Sequence, residues 1–179
     1  MKAVVNGRFL SRRVTGVERY GQEILPWLDG SLRVVRPEIP LQEVRGHMWE
    51  QFILPGKIRP DETLWSPANT GPLVVSNQVL TLHDLSPLEH PEWFKPAFST
   101  WYHLFLPILA RRVKKVLTSS EYGRKKVLAR FSLRADRVVC VPAGVDRDKF
   151  HPLAGPKEPY LLFVGTHEPR KNLSGLLRA

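Results

Sequence analysis

The chain has 179 residues, 42% apolar and 25% charged, with a net charge of +10. That is enough for one domain with a hydrophobic core, too little for two complete ones, and unlike a disordered chain. The single cysteine, Cys140, excludes an internal disulfide and a zinc site built on paired cysteines, and it fits a reducing, cytoplasmic setting. Met1–Asn6 does not read as a signal peptide, and no stretch approaches the ~18 apolar residues of a membrane span.

Short β-branched runs alternate with helical patterns along the chain. Lys2–Val5 predicts a first strand, followed by a loop rich in Arg and Ser from Asn6 to Thr15. A helix begins at Gly16, with Val17, Tyr20, Ile24 and Leu28 near helical spacing, and Pro26 marks its end or a kink. Leu32–Arg36 predicts a second strand. Met48–Leu54 predicts a short helix stopped by Pro55. Strands follow at Thr63–Ser66 and Gln78–Leu82, separated by a turn at Pro67–Pro72. Phe98, Tyr102, Phe105 and Leu109 mark the apolar face of a helix that Pro107 interrupts. Val116–Thr118 is the next strand. Ser119 and Ser120 are placed to cap a helix reaching about Arg130, because a serine oxygen accepts the free amides of a first turn. Val138–Val141 is a further strand. Pro142 to Pro159 reads as a linker, and Tyr160–Val164 with a helix from about Asn172 starts a new unit.

This alternation predicts an α/β fold, a Rossmann-like, doubly wound and mostly parallel sheet over residues 1–150. The linker is set at residues 151–159, and residues 160–179 are read as the first strand and helix of a second domain. Ligands of such sheets sit beyond the carboxyl ends of the strands. Three motifs occupy that place. Gly16 opens a helix whose free amides favour a phosphate, with Arg19 in its first turn, or it simply makes a tight turn into that helix. His83 and Asp84 directly follow a strand, where an imidazole can bond a sugar hydroxyl or polarise a reacting group, or simply tie the loop to the backbone. Thr166, Arg170 and Lys171 lie between a strand and a helix, where two cations and helix amides can make an anion site, or where the two cations are simply exposed near a turn. The remaining histidines, His47, His90, His103, His151 and His167, show no metal-ligand spacing, so no metal site is expected.

Residues 111–137 hold ten Lys or Arg against Glu121 and Asp136, which is +8 of the +10. Such a field favours anionic partners or forms a solvated face.

Thr15–Tyr20, Leu80–Asp84, Thr118–Glu121, Val141–Asp146 and Phe163–Leu173 occur in an order that resembles the family 4 glycosyltransferases of GT-B fold, the mannosyltransferase-like group. The resemblance spans essentially the whole chain. It implies two Rossmann-like domains facing across a cleft, the first holding the acceptor and the second a nucleotide-diphosphate sugar. It implies retaining hexosyl transfer with no metal in the active site. Gly16 matches the glycine that approaches the donor phosphates, and His83 the histidine beside the transferred sugar. Arg170 and Lys171 match the cations that neutralise the diphosphate leaving group. Ala143 departs from the more usual Asn. The implied paired glutamates and base-binding residues lie beyond Ala179, so the chain alone is expected to be inactive. The implied donor is GDP-mannose, with other hexoses and UDP donors open. The implied acceptor is a glycan or lipid-linked glycan, and the basic region beside the helix from Phe98 to Leu109 offers a peripheral contact with anionic membrane.

Two other readings stand. One is a non-catalytic membrane-docking or binding subunit. The other is a basic nucleic-acid-binding module, disfavoured because no nucleic-acid motif is present. A nicotinamide oxidoreductase is set aside, since Asn6-Gly7-Arg8-Phe9 replaces the Gly-x-Gly-x-x-Gly fingerprint.

Overall fold

A computed structural model describes residues 2–179 apart from Asp29, Ser31, Gln42, Leu153, Ala154, Pro156, Lys157, Glu158 and Thr166. Its strands are β1 (Lys2–Asn6), β2 (Arg33–Val35), β3 (Glu62–Ser66), β4 (Gln78–Leu82), β5 (Lys115–Thr118) and β6 (Val138–Cys140). They form one six-stranded sheet in the order β2-β1-β3-β4-β5-β6, and each of the five pairings is parallel. The helices are α1 (Gly16–Ile24), α2 (Glu43–Met48), α3 (Ser86–Glu89), α4 (Pro96–Arg112), α5 (Glu121–Phe131) and α6 (Leu173–Leu176). The strand order reverses between β1 and β3, so their carboxyl ends flank the switch point where parallel α/β sheets bind ligands.

Register assigns the two faces. Val4 pairs with Leu64, Leu64 with Gln78, Leu80 with Val116 and Val116 with Val138. These positions therefore share a face. On it, Val4, Val35 and Leu64 pack with Trp49 and Leu54, while Leu80, Leu82, Val116 and Val138 pack with Tyr102, Phe105 and Leu109 of α4 and Val127 and Phe131 of α5. The opposite face buries Val5 and Phe9, with Val17, Leu25 and Trp65 around them. α1 covers that face near β1, and Val139 of β6 remains exposed there.

Local rules explain most boundaries. α1 ends at Ile24 and passes into a 3₁₀ turn, Leu25–Trp27, with Pro26 in its first positions, where a missing amide costs nothing. Ser120 caps α5 by accepting from the Gly123 amide at 3.1 Å. α5 closes on Ser132 in the left-handed region, φ 52°. Pro107 lies inside α4 without ending it.

Three segments depart from the sequence expectations. The loop after β1 opens as a 3₁₀ turn, Gly7–Ser11, because the Asn6 side chain accepts from the Arg8 amide at 3.2 Å. The helix expected at Met48–Leu54 begins earlier, at Glu43, and continues from α2 as a π-helical turn, Trp49–Ile53. Pro55 does not stop it but sits in the first positions of the 3₁₀ turn that follows, Leu54–Lys57. Tyr160–Val164 carries no strand. Leu161, Leu162 and Val164 are exposed, and a β-prone run without a partner has nowhere to place its backbone hydrogen bonds. Most of the expected linker lies outside the described residues. Beyond it, a 3₁₀ turn, Pro169–Lys171, precedes α6.

Candidate functional site

Four chain segments meet at the carboxyl edge of the sheet. The loop after β1 brings Arg12 and Thr15, and α1 brings Val17 and Glu18. The loop after β3 brings Ala68 and Asn69. The segment after β4 brings Asp84, Ser86 and Pro87. Phe94, together with Phe98 and Tyr102 of α4, closes one side, and Arg170 reaches in from the end of the chain. They enclose a cavity of about 130 Å³. Ligand pockets of whole drug-sized molecules run to about 300 Å³ or more, so this space suits a phosphate or part of a sugar.

Glu18 organises the entrance. It is buried, and its Oε2 accepts from the Thr15 amide at 3.1 Å and from the Thr15 hydroxyl, the acidic half of a capping box. Its Oε1 lies 3.3 Å from Arg12 Nη1. The first turn of α1 and the Arg12 guanidinium are thus held together beside the cavity, a pairing of helix amides with a cation that suits an anion. A Cβ added at Gly16 would meet nothing within 4 Å, so the backbone there is open to a ligand. Arg170 is paired with Glu168 at the far side.

His83 is better placed to hold loops than to reach the cavity. Its amide donates to Asn69 Oδ1 at 2.8 Å, and its Nε2 lies 2.8 Å from the Pro67 carbonyl. A carbonyl only accepts, so Nε2 carries the proton and Nδ1 is left as an acceptor. Tyr20 of α1 meets the ring edge-on, 4.6 Å between centroids. Burial pushes the imidazole pKa below its ordinary value, with the Pro67 carbonyl, Asp84 and Glu18 opposing. Neutral imidazole is therefore the resting form. Asp84, one residue on, lines the cavity while its Oδ1 accepts from the Ser86 amide at 2.9 Å.

Behind the site lies a buried polar network that sequence reasoning missed. Glu50 Oε1 accepts from Asn6 Nδ2 at 2.7 Å, Arg8 Nε at 3.2 Å and the Thr70 hydroxyl at 3.2 Å. Arg8 Nη2 donates to Thr70 Oγ1 at 2.7 Å, and Ser66 Oγ donates to Gln78 Oε1 at 2.8 Å. These bonds tie the ends of β1 and β3 to the π-helical turn. Nearby, the His47 pKa falls to about 3 through burial and the positive charges of Arg8 and Arg12. Burial also pushes the Tyr102 phenol up to about 12.

Of the residues singled out from sequence, Asp84 and Arg170 line the cavity and Gly16 lies between two lining residues, Thr15 and Val17. His83, Arg19 and Lys171 are not among the lining residues, and Thr166 lies outside the described residues. Arg12, Glu18, Asn69, Phe94, Phe98 and Tyr102 were not anticipated as site residues. Glu18 had a legible signal, Thr15-x-x-Glu18, whereas the others follow only from the folded arrangement. Among the described residues, no group of three or more His, Cys, Asp or Glu side chains is placed to hold a metal ion. A larger cavity of about 400 Å³ lies along α4 between Pro91, Pro96, Ser99, Thr100, His103 and Leu104, away from the strand ends.

An all-parallel α/β sheet with a cation-flanked crevice at its switch point defines a Rossmann-like domain. Residues 72–149 match the family described as Glycosyltransferase Family 4. The chain is similar to O-antigen chain mannosyltransferase B of Escherichia coli, 29% identical over 117 residues, which is 56% of this chain and 29% of that protein. It is also similar to O-antigen chain mannosyltransferase RfbU of Salmonella typhimurium, 26% identical over 105 residues, 59% of this chain and 29% of that protein. The matched stretch thus spans less than a third of the length of either relative.

Proposed function

We propose that the chain supplies the acceptor-side domain of a retaining hexosyltransferase, which moves mannose from GDP-mannose to a glycan or lipid-linked acceptor. The supporting observation is the meeting of Arg12, the first turn of α1, Asp84 and Arg170 around one crevice at the switch point. In this reading, Arg12, Arg170 and Lys171 face the diphosphate with Gly16 and the α1 amides. Charge accumulates on the leaving phosphate in the transition state, and fixed cations there lower the barrier. Asp84 and Asn69 hold sugar hydroxyls, and Phe98 and Tyr102 offer aromatic walls to the apolar face of a sugar ring. His83 positions the loops after β3 and β4 beside the transferred sugar. Residues 160–179, with Thr166, begin the donor-binding domain. The choice of mannose follows the two relatives, both named as mannosyltransferases.

The test is hexosyl transfer from GDP-mannose and UDP-glucose by this chain and by one extended through a second domain. Transfer by the extended form, reduced about 100-fold by Arg170→Ala, is the expected result. Extended protein inactive with every donor overturns the proposal. Full turnover with His83→Ala removes His83 from the site.

A further inference from the structure

The loop between β3 and β4 is gripped from one side by the π-helical turn. Glu50 Oε1 and Arg8 Nη2 both bond the Thr70 hydroxyl, at 3.2 and 2.7 Å. Gln51, the next residue of the turn, adds two bonds to the loop backbone. Its Nε2 donates to the Gly71 carbonyl and its Oε1 accepts from the Leu73 amide, each at 3.0 Å. Arg112 Nε of α4 donates to the Leu73 carbonyl at 2.9 Å. From β4, Gln78 Nε2 donates to the Pro72 and Val75 carbonyls, both at 3.1 Å. Loop backbone groups that would otherwise turn to water are thus bonded to side chains from three elements. The π-helical winding is what sets Glu50 and Gln51, one after the other, against the same loop, and such turns frequently sit at functional sites.

The start of the same loop lines the switch-point cavity with Ala68 and Asn69. Asn69 has φ 64°, in the left-handed region, a conformation that a residue with a Cβ keeps only where its surroundings over-determine it. Here they do. Its amide donates to the Thr81 carbonyl at 3.1 Å, and its Oδ1 accepts from the His83 amide at 2.8 Å. The Pro67 carbonyl accepts from His83 Nε2 at 2.8 Å. Asn69 and His83 are therefore locked to each other on a loop that the π-helical turn holds from behind. We infer that Gln51 and Glu50 are positioning residues, which through this loop fix Asn69 and the His83 ring at the cavity. Neither is among the lining residues, so both act through the backbone they hold. The consequence for catalysis rests on the sugar-transfer reading. With Oδ1 committed to His83, Asn69 offers Nδ2 as a donor to a sugar hydroxyl, and a loosened loop would misorient that sugar against its leaving phosphate.

The first readout is the His83 tautomer, followed by imidazole nitrogen NMR on the labelled 179-residue chain. At about pH 8, where the ring is neutral, the wild type should show one tautomer with Nε2 protonated. Gln51→Met keeps the side-chain length and removes both loop bonds, so the two ring nitrogens should move toward averaged shifts as both tautomers populate. Thr70→Val should act in the same direction, and Thr70→Ser, which keeps the hydroxyl, should restore the wild-type signature. Ser120→Ala removes the α5 cap and controls for general loss of stability, so it should leave His83 unchanged. The second readout is transfer by the chain extended through a second domain, where Gln51→Met should lower kcat about ten-fold or more with donor KM within about two-fold. An unchanged His83 signature in both Gln51→Met and Thr70→Val overturns the inference, as does an equal change in Ser120→Ala. An active extended enzyme whose kcat is indifferent to Gln51→Met overturns it while leaving the transfer reading in place. An inactive extended wild type removes the transfer reading, and the tautomer then decides the positioning role.

Discussion

The ion pair of Arg8 and Glu50 offers the sharpest test of how the switch point is held. Their side chains are 4% and 1% exposed, so solvent screens the pair little. Replacing Glu50 by Ala removes the acceptor of three hydrogen bonds and leaves the Arg8 guanidinium buried with the Thr70 hydroxyl as a side-chain partner. Breaking a buried pair from one side costs about 3–5 kcal/mol, most of it the uncompensated charge. Arg8→Met should cost a similar amount, because it strands the carboxylate. The double variant Arg8→Met/Glu50→Leu should then be less destabilised than the two single changes summed, by about 2 kcal/mol or more. Urea unfolding of the four proteins, extrapolated linearly to water, measures this coupling directly. Additive losses would refute the argument, as would an Glu50→Ala cost below about 1 kcal/mol, the range of an exposed pair.

Glycine substitutions should separate tight positions from open ones. Gly21→Ala sets a Cβ 2.6 Å from the Phe9 ring, and Gly71→Ala one 1.9 Å from Gln78 Oε1, so each should lose about 1–3 kcal/mol in thermal unfolding. Gly16→Ala meets nothing and should stay within about 0.5 kcal/mol, so any ligand affinity it loses reports on the site. Ser120→Ala should destabilise the chain by about 1 kcal/mol through loss of the α5 cap. The His47 pKa is lowered in the fold, so the unfolded chain binds the proton first. Stability is then complete above pH 6.5 and is lost as pH falls toward about 3, at up to about 1.4 kcal/mol per unit. His83 has the same sign, so His47→Gln should reduce, without abolishing, the slope of unfolding free energy between about pH 6.5 and 5. An unchanged slope would place His47 in water.

Regular elements were legible because local rules dictate them. The i, i+4, i+7 and i+11 spacing from Phe98 to Leu109 marked α4, and Ser119-Ser120 marked the start of α5. Phe98 also shows the limit of periodicity, since it belongs to the apolar series yet lines the cavity. The π-helical turn at Trp49–Ile53 has no composition signature, and Pro55 suggested a stop one step too soon. Tyr160–Val164 has strand chemistry, but pairing depends on a neighbour that spacing does not reveal. At the site, Gly16, Asp84 and Arg170 were singled out because the sequence reading set them after strands, although Tyr160–Val164, the segment before Arg170, carries none. Arg12 and Glu50 act through partners distant along the chain, 6 and 42 residues away in the case of Glu18 and Arg8. Contacts of that kind arise only on folding.

An all-parallel sheet contains no hairpin, and this sets the order in which the molecule can assemble. Every strand must wait for a crossover before it finds a neighbour. β1 sits between β2 and β3, so it gains its second neighbour only after residues 62–66 have been synthesised. Contacts of such long separation slow folding, because loop closure is unfavourable before the pairing energy is gained. A nascent chain that paused before Ser66 would present β1 with one open hydrogen-bonding edge, and the Asn6 and Arg8 side chains would lack Ser66 and Thr70. The switch point thus stays open until β3 has been made and can close before β4, β5 and β6 are synthesised, and refolding from urea should proceed slowly for a chain of this length.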